Sequence, residues 1–222
     1  MTNQPPLPPA SHRRTIGLTG GIGMGKTTVS DYLANVHDVP VLDADVFARE
    51  AVQPPSAILD KIVERYGRAV LLPDGTLDRL RIGELIFSST AERLWLEQQI
   101  HPYVRDRFEA ALQTPALQSV PIVVLVIPLL FEARMVDLVS EIWVVYCSDK
   151  QQEERLMQRL TQTPGSRPDK DHVRARINSQ MPIEKKKRRA DVLLDNSASP
   201  ADLFRQVDAA LARPPRGMSQ TN

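Results

Sequence analysis

A glycine-rich segment near the N-terminus constrains this chain more than any other feature. Gly20, Gly25, Lys26 and Thr27 fit the pattern G-x-x-x-x-G-K-[ST], with a β-rich run before it and a helix-forming run after it. Glycines allow positive φ and close backbone approach, so successive N–H groups can surround an anion at the helix N-terminus. The segment is therefore predicted to be a phosphate-binding loop between a strand and a helix.

The alternative interpretation is a glycine-rich turn that only joins a strand to a helix. With glycine at about 7% of average usage, four fixed positions match by chance in about one in a hundred chains of this size. The flanking strand and helix make a chance match rarer still, so phosphate binding is favoured.

The residues of the loop have distinct expected roles. Lys26 can reach the β- and γ-phosphates of a nucleotide, and the Thr27 hydroxyl can ligate Mg²⁺. The loop alone does not distinguish a kinase from a GTPase or an ATP-driven machine. The residues expected to contact the bound ATP are Gly21, Gly23, Met24, Gly25, Lys26, Thr27 and Thr28.

Composition favours a soluble globular protein in the cytoplasm. The 222 residues are 42% hydrophobic, enough for one domain with an elaboration or two small ones, and the net charge is only +1. That charge gives no global field for nucleic acid or an anionic membrane, so neither is expected as a partner. The longest apolar run, 120–131, contains two prolines and is too short to span a bilayer. Cys147 lies in an apolar run, which indicates a buried thiol in a reducing compartment.

Two carboxylates, Asp43 and Asp45, end the second predicted strand at residues 39–45. Ligands of open α/β sheets collect at the carboxyl ends of the strands, so both should lie on the same edge as the glycine loop. Asp45 is the better candidate for a catalytic base. The alternative is that one of the two only caps the following helix.

Residues 57–113 show apolar stripes at helical spacing, interrupted by a turn at 72–77. A helical insert at this place is where a P-loop kinase would hold its second substrate. Pro102 is expected to begin a new helix, which would leave His101 at a junction, either against a ligand or merely capping nearby carbonyls.

The third predicted strand, 121–127, is followed by Pro128 where GTPases and ATPase machines usually place a Mg²⁺-binding aspartate. This departure favours a small-molecule kinase. After the fourth strand, which ends at Cys147, a helix at 151–160 places Arg155 and Arg159 on one face. They can clamp a transferring phosphoryl group, or they can belong to a solvated face with neighbouring glutamates.

The end of the chain holds a flexible bend at 163–168, a helix at 172–180, a basic run at 185–189, a fifth strand at 190–196 that ends in Asn196, and a last helix at 200–211. The bend and its flanking helices would form a mobile lid. The basic run matches a nucleic-acid-binding pattern. Because it lacks interleaved aromatic residues in a nearly neutral chain, we interpret it as a solvated basic face near the phosphates.

Taken together, the motifs resemble those of the dephospho-coenzyme A kinases. The similarity extends from about residue 13 to 211 and departs in two places. Met24 stands where that family commonly has a small residue, and we expect this position to contribute only its backbone. The segment 160–170 is longer than the usual lid turn. The segments that carry the resemblance are 17–27, 42–45, 101–102, 128–132, 152–159, 176–181 and 190–196.

The resemblance implies an α/β P-loop NTPase fold, a five-stranded parallel sheet flanked by helices, with a helical acceptor-binding insert and a lid. The implied kinase domain covers 13–212, with its core at 13–50, 118–150 and 188–212, the insert at about 51–117 and the lid at about 151–187. The proline-rich ends, 1–12 and 213–222, are expected to be disordered tails.

The implied reaction is transfer of the ATP γ-phosphate, with Mg²⁺, to the ribose 3′-hydroxyl of dephospho-coenzyme A. The alternatives are a P-loop kinase acting on a nucleoside monophosphate or small alcohol, and a nucleotide-dependent switch. The resemblance implies Asp45, Lys26, Arg155 and Arg159 as catalytic residues, Asn196 beside the adenine, Thr27 on the metal, and Asp43, His101, Leu130, Phe131 and Glu132 near the acceptor.

Overall fold

The computed structural model describes residues 13–162 and 168–213, and the side chains of all of them except 87 and 88. The tail expected at 1–12, all but the first residue of the tail expected at 213–222, and most of the bend expected at 163–168 lie outside these residues. A parallel sheet in the order β2-β3-β1-β4-β5 forms the centre of the molecule, which confirms the predicted fold. Its strands are β1 (Arg14–Gly20), β2 (Val41–Asp43), β3 (Ile122–Val126), β4 (Glu141–Tyr146) and β5 (Val192–Asp195).

Ten α-helices and two short 3₁₀ turns, at Arg68–Val70 and Val136–Leu138, are present among the described residues. Serine side chains cap several of them; Ser148 and Ser199 each form a reciprocal capping box. No helix in the described ranges is long and apolar enough to cross a membrane. The helices are α1 (Lys26–His37), α2 (Ala44–Glu50), α3 (Ala57–Tyr66), α4 (Arg79–Ser88), α5 (Thr90–Leu112), α6 (Pro115–Gln118), α7 (Asp149–Thr161), α8 (Lys170–Asn178), α9 (Ile183–Lys187) and α10 (Pro200–Leu211).

Alternate residues of the strands build two cores, one on each face of the sheet. Val124 and Val126 of β3 face the side covered by α1 and α10, whereas Val123 and Leu125 face α5. Since both faces are covered, the central strands are almost continuously apolar. This arrangement leaves polar residues only at the strand ends, where the site is found.

Two neighbouring arginines at the start of β1 bind helix ends on opposite faces. Arg13 Nη1 donates to the carbonyl oxygens of Leu112 (3.1 Å) and Leu117 (2.9 Å), near the end of α5. Arg14 Nη1 donates to those of Leu211 (2.7 Å) and Arg213 (3.1 Å), at the end of α10. Arg213, which was expected to begin the disordered tail, is therefore bound to the core through its carbonyl.

The helices between β2 and β3 have an apolar cluster of their own, built around Leu59, Ile62 and Leu96. The expected helix boundary at Pro102 is wrong, because α5 continues through it from Thr90 to Leu112. Proline removes one backbone donor inside the helix. The helix persists because its first half packs in the insert cluster through Leu96, and its second half packs on the sheet through Phe108.

Candidate active site

The glycine-rich loop joins β1 to the N-terminus of α1, as the sequence predicted. Gly20 and Gly25 have φ values of 150° and 96°, which L side chains rarely adopt. A Cβ at Gly20 would also collide with the Val145 carbonyl, and one at Gly25 with the side chain of Asn196. Both glycines are thus required by conformation and by close approach.

Lys26 occupies the first turn of α1 and folds back over the loop. Its Nζ donates to the carbonyl oxygens of Gly20 at 3.1 Å and Gly21 at 2.9 Å. Burial lowers the pKa of Lys26 to about 8, and the positive charges of Lys186 and Arg159 act in the same direction. A phosphate dianion nearby would therefore stabilise the charged form of Lys26 and raise its pKa.

The two aspartates after β2 have separate roles in the structure. The strand ends at Asp43, not at Asp45, and Asp43 caps α2 by accepting a hydrogen bond from the Asp45 backbone N–H at 2.7 Å. Burial is the main cause that raises the pKa of Asp43. The capping alternative is correct for Asp43, and the exposed Asp45 carboxylate lies in the first turn of α2. Both carboxylates raise the pKa of Lys26, which places them in the same electrostatic neighbourhood.

A cavity of about 420 Å³ adjoins the loop and has Asp45 in its wall. Another part of its lining is a stripe of α5 in which Arg93, Glu97 and His101 are spaced four residues apart. Burial lowers the pKa of His101, and the Glu132 carboxylate opposes this shift. Burial likewise raises the pKa of Glu97.

The sequence analysis missed Arg93 and Glu97. Counting back from His101 in steps of four would have found them, since such residues share a helix face. Arg176 of α8, which the sequence placed in the lid without a role, lines the same cavity. The cavity is therefore assembled from the strand end, the insert and the lid.

The segment after β3 contributes differently from what was expected. Leu130 is fully buried in the core and Phe131 is 6% exposed, with the Arg189 guanidinium 4.2 Å from its ring centroid. Pro128 and Leu129 are the residues of this turn that line the cavity. The side chains of Leu130 and Phe131 thus pack behind the cavity wall.

Lys186 corrects the interpretation of the basic run as a solvated face. Its side chain is fully buried, and its Nζ donates to the Pro128 carbonyl at 2.8 Å and pairs with Glu132 Oε1 at 3.0 Å. The same Glu132 oxygen accepts from the Met181 backbone N–H at 2.8 Å. Lys185, by contrast, is exposed. One buried ammonium therefore joins α9 to the turn after β3.

Arg155 and Arg159 share α7 but have different neighbours. Arg155 Nη2 donates to the Asn196 carbonyl at 3.1 Å, and Asn196 Nδ2 donates to the Met24 carbonyl at 3.0 Å. The charge of Arg159 instead lowers the pKa of both Lys26 and Arg176. Arg159 therefore lies on the side of the loop lysine and the cavity, and Arg155 on the side of Asn196.

Met24 contributes more than the backbone that the sequence analysis assigned to it. Its side chain is 1% exposed, and its sulfur would lie 2.9 Å from a Cβ at Gly21. The thioether fills the space inside the loop that glycine leaves.

Comparison with known proteins agrees with this geometry. The family model for dephospho-CoA kinase matches residues 14–202. Similar proteins include the dephospho-CoA kinase of Trichormus variabilis, 54% identical over 90% of this chain and 97% of the relative. Another is the dephospho-CoA kinase of a Synechocystis species, 48% identical over 93% of this chain and 96% of the relative.

Solved structures share the fold. The chain superposes on TT1252 from Thermus thermophilus with a TM-score of 0.71 and 33% identity, over 91% of this chain and 98% of that one. It superposes on dephospho-CoA kinase from Campylobacter jejuni with a TM-score of 0.62 and 24% identity, over 89% and 94%.

Proposed function

The chain belongs to the dephospho-CoA kinase family, and from this premise we propose that it transfers the γ-phosphoryl group of ATP to the ribose 3′-hydroxyl of dephospho-CoA. The observation that carries the proposal is the cavity beside the glycine loop, which has Asp45 and charged insert residues in its lining. Such a cavity suits an acceptor that carries both polar and apolar groups. We place the reaction in the cytoplasm.

We propose that the loop holds the ATP phosphates through its backbone N–H groups and the Lys26 ammonium. Asn196 and Arg155 would border the adenine, because Arg155 binds the Asn196 carbonyl and the Asn196 side chain binds the Met24 carbonyl of the loop. Arg159 would bind the transferring phosphoryl group, where its permanent charge offsets the charge that develops. The remaining nucleotide contacts in this proposal are Gly21, Gly23, Met24, Gly25, Thr27 and Thr28.

The residues present fit a magnesium ion that arrives with ATP. Within 13–162 and 168–213, no group of three or more His, Cys, Asp or Glu side chains could hold a metal ion. Mg²⁺ commonly binds through few protein ligands together with substrate phosphates. The Thr27 hydroxyl, with Asp43 or Asp45, supplies the hard oxygen donors that it prefers. When bound, magnesium would supply positive charge that offsets the charge of the phosphates.

We propose that Asp45 accepts the proton of the acceptor hydroxyl. Its carboxylate is exposed at the cavity wall and makes none of the capping bonds that occupy Asp43. A base must lie within hydrogen-bond reach of the proton it removes, and an acceptor bound in the cavity would lie beside Asp45. His101 and Glu132 would orient the acceptor from the insert side and from behind the β3 turn.

In the same proposal the chain divides by role. The insert at about 51–117 holds the acceptor, and the lid at about 151–187 covers the nucleotide and excludes water.

A coupled assay of ADP release tests the proposal with ATP, Mg²⁺ and dephospho-CoA, beside AMP, CMP, adenosine and shikimate. We expect turnover with dephospho-CoA alone, and a fall in kcat of about 10²-fold or more in Asp45→Asn with unchanged ATP affinity. The matched control is Asp60→Asn, which neutralises an exposed carboxylate in the first turn of α3. Preference for another acceptor would overturn the assigned substrate, and full activity of Asp45→Asn would overturn the assigned base.

A further inference from the structure

Ile22, at the apex of the glycine loop, has both of its backbone polar groups bound by glutamine side chains. Its N–H donates to Gln180 Oε1 at 2.8 Å, and its carbonyl oxygen accepts from Gln152 Nε2 at 2.8 Å. Gln152 lies near the start of α7 and is 4% exposed, and Gln180 lies just after the end of α8. The two glutamines therefore hold the two successive peptide groups on either side of the Ile22 Cα, one through its N–H and the other through its carbonyl oxygen.

The side chain of Ile22 is bound to the same part of the molecule. It packs against the apolar cluster formed by Leu156 and Leu160 of α7 and Val173 of α8. Ile22 thus has two hydrogen bonds and one apolar contact to the lid side. None of these contacts belongs to the loop itself.

The neighbours of Ile22 explain why such support matters. Gly21 and Gly23 flank it, and Gly23 has a φ of 76°. Glycine gives the backbone wide conformational freedom, so an unsupported loop would lose much entropy when it closed on an anion. Fixing the loop in advance lowers that cost of binding.

We propose that Gln152 and Gln180 are positioning residues that fix the two peptide groups flanking the Ile22 Cα, so that the neighbouring loop N–H groups face the ATP phosphates. The proposal rests on the proposed function only in taking ATP as the ligand. Neither glutamine touches the reacting atoms in this assignment. They act through the shape of the loop.

The two glutamines have opposite hydrogen-bond roles, which gives a sharp test. Gln180 uses its oxygen as an acceptor, and an ionised glutamate keeps that oxygen. Gln152 uses its amide nitrogen as a donor, and glutamate has no such donor. Gln152→Glu would also place a carboxylate oxygen against the Ile22 carbonyl. The same chemical change should therefore preserve one contact and break the other.

The first experiment measures the ATP dissociation constant by calorimetry for Gln152→Glu and Gln180→Glu, together with the thermal midpoint and the KM for dephospho-CoA. Each variant adds one negative charge beside Ile22, so repulsion of ATP is common to both. We expect the dissociation constant to be about tenfold higher in Gln152→Glu than in Gln180→Glu. Gln158→Glu, on the exposed face of α7, is the charge control and should stay within about twofold of the wild type.

A second experiment avoids burying a charge and covers the case in which Gln152→Glu fails to fold. Amide hydrogen exchange at Ile22 is compared in the wild type, Gln180→Glu and Gln180→Met. We expect exchange to be about tenfold faster in Gln180→Met only, because that variant alone removes the acceptor.

Equal ATP affinity in the two glutamate variants would overturn the proposal, as would unchanged Ile22 exchange in Gln180→Met. A thermal midpoint that falls without a change in ATP affinity would show a purely structural role and would also overturn it. Absence of wild-type turnover with dephospho-CoA would count against the proposed function alone, because ATP binding and amide exchange do not depend on the acceptor.

Discussion

The two sides proposed for the site, one for the nucleotide and one for the acceptor, are built in different ways. The nucleotide side is one continuous segment of glycines ending in Lys26 and Thr27, and most of its chemistry is backbone. The cavity proposed for the acceptor is assembled from α2, α5, the turn after β3 and α8, and a few charged side chains stand in a mostly apolar lining. The loop is therefore recognisable as a motif in one short segment, whereas the cavity exists only when distant segments of the chain meet.

Substitution of the two arginines of α7 is expected to give the largest effects and tests whether they have separate roles. We expect Arg159→Met to lower kcat about 10³-fold, because its charge lies toward Lys26 and the cavity. Arg155→Met should instead raise the KM for ATP about tenfold with a smaller change in kcat, because Arg155 binds the Asn196 carbonyl. Steady-state kinetics of the matched pair decides it; the reverse pattern would exchange their roles.

Lys186 lies where the two sides meet, since it pairs with Glu132 and its charge affects Lys26. Removing one partner of a buried ion pair leaves the other unpaired, so Lys186→Met should lower the free energy of unfolding by about 3 kcal/mol. Urea denaturation measures this. The exposed Lys185→Met is the control, and adding Glu132→Gln should recover part of the loss. No recovery would mean that the pair is not the cause.

Arg93 offers a change confined to the acceptor side. Its guanidinium lines the cavity and pairs only loosely with Glu97, at 3.8 Å. We expect Arg93→Met to raise the KM for dephospho-CoA about tenfold and to leave the KM for ATP unchanged, through the loss of a contact to an anionic group. Arg81→Met, on the exposed face of α4, is the control. A parallel rise in both KM values would show that the two sides are not separable.

The smallest expected effect is a proton taken up on ATP binding. Burial sets the pKa of Lys26 at about 8, and phosphate favours the charged form, so binding raises this pKa. With MgATP we expect uptake of about 0.8 proton at pH 8.5 and about 0.1 at pH 7. Calorimetry in two buffers of different ionisation enthalpy measures it. Uptake should be lost in Lys26→Arg, whose side chain stays charged, and equal uptake at both pH values would contradict the assignment.

The sequence predicted features that depend on neighbouring residues better than features that depend on distant segments. The loop residues, the sheet and α10 were predicted correctly because each depends on neighbouring residues or on a local period. Pro102 was misjudged because tertiary packing on both sides holds α5 together across it. Local propensity gave no sign of that packing.

Charge patterns misled where burial depends on distant partners. Five consecutive basic residues indicate a solvated surface, yet Lys186 is buried. Its partners there, Glu132 and the Pro128 carbonyl, lie 54 and 58 positions earlier in the chain. The separate neighbours of Arg155 and Arg159 likewise depend on Asn196 and Lys26, which lie far from α7 in sequence. Helical spacing puts the two arginines on one face but cannot say what each one meets.

The arginine pair at the start of β1 has a mechanical consequence. Arg14 brings the first residues of the described core next to the last ones, and Arg13 binds the ends of α5 and α6, at the edge of the sheet opposite the glycine loop. A tether attached before Arg13 and one attached after Arg213 would pull on adjacent points of that edge. The load would enter through guanidinium–carbonyl bonds and the first residues of β1, at the end of the strand away from the phosphate-facing loop. Immobilising the protein by either end should therefore leave catalysis undisturbed.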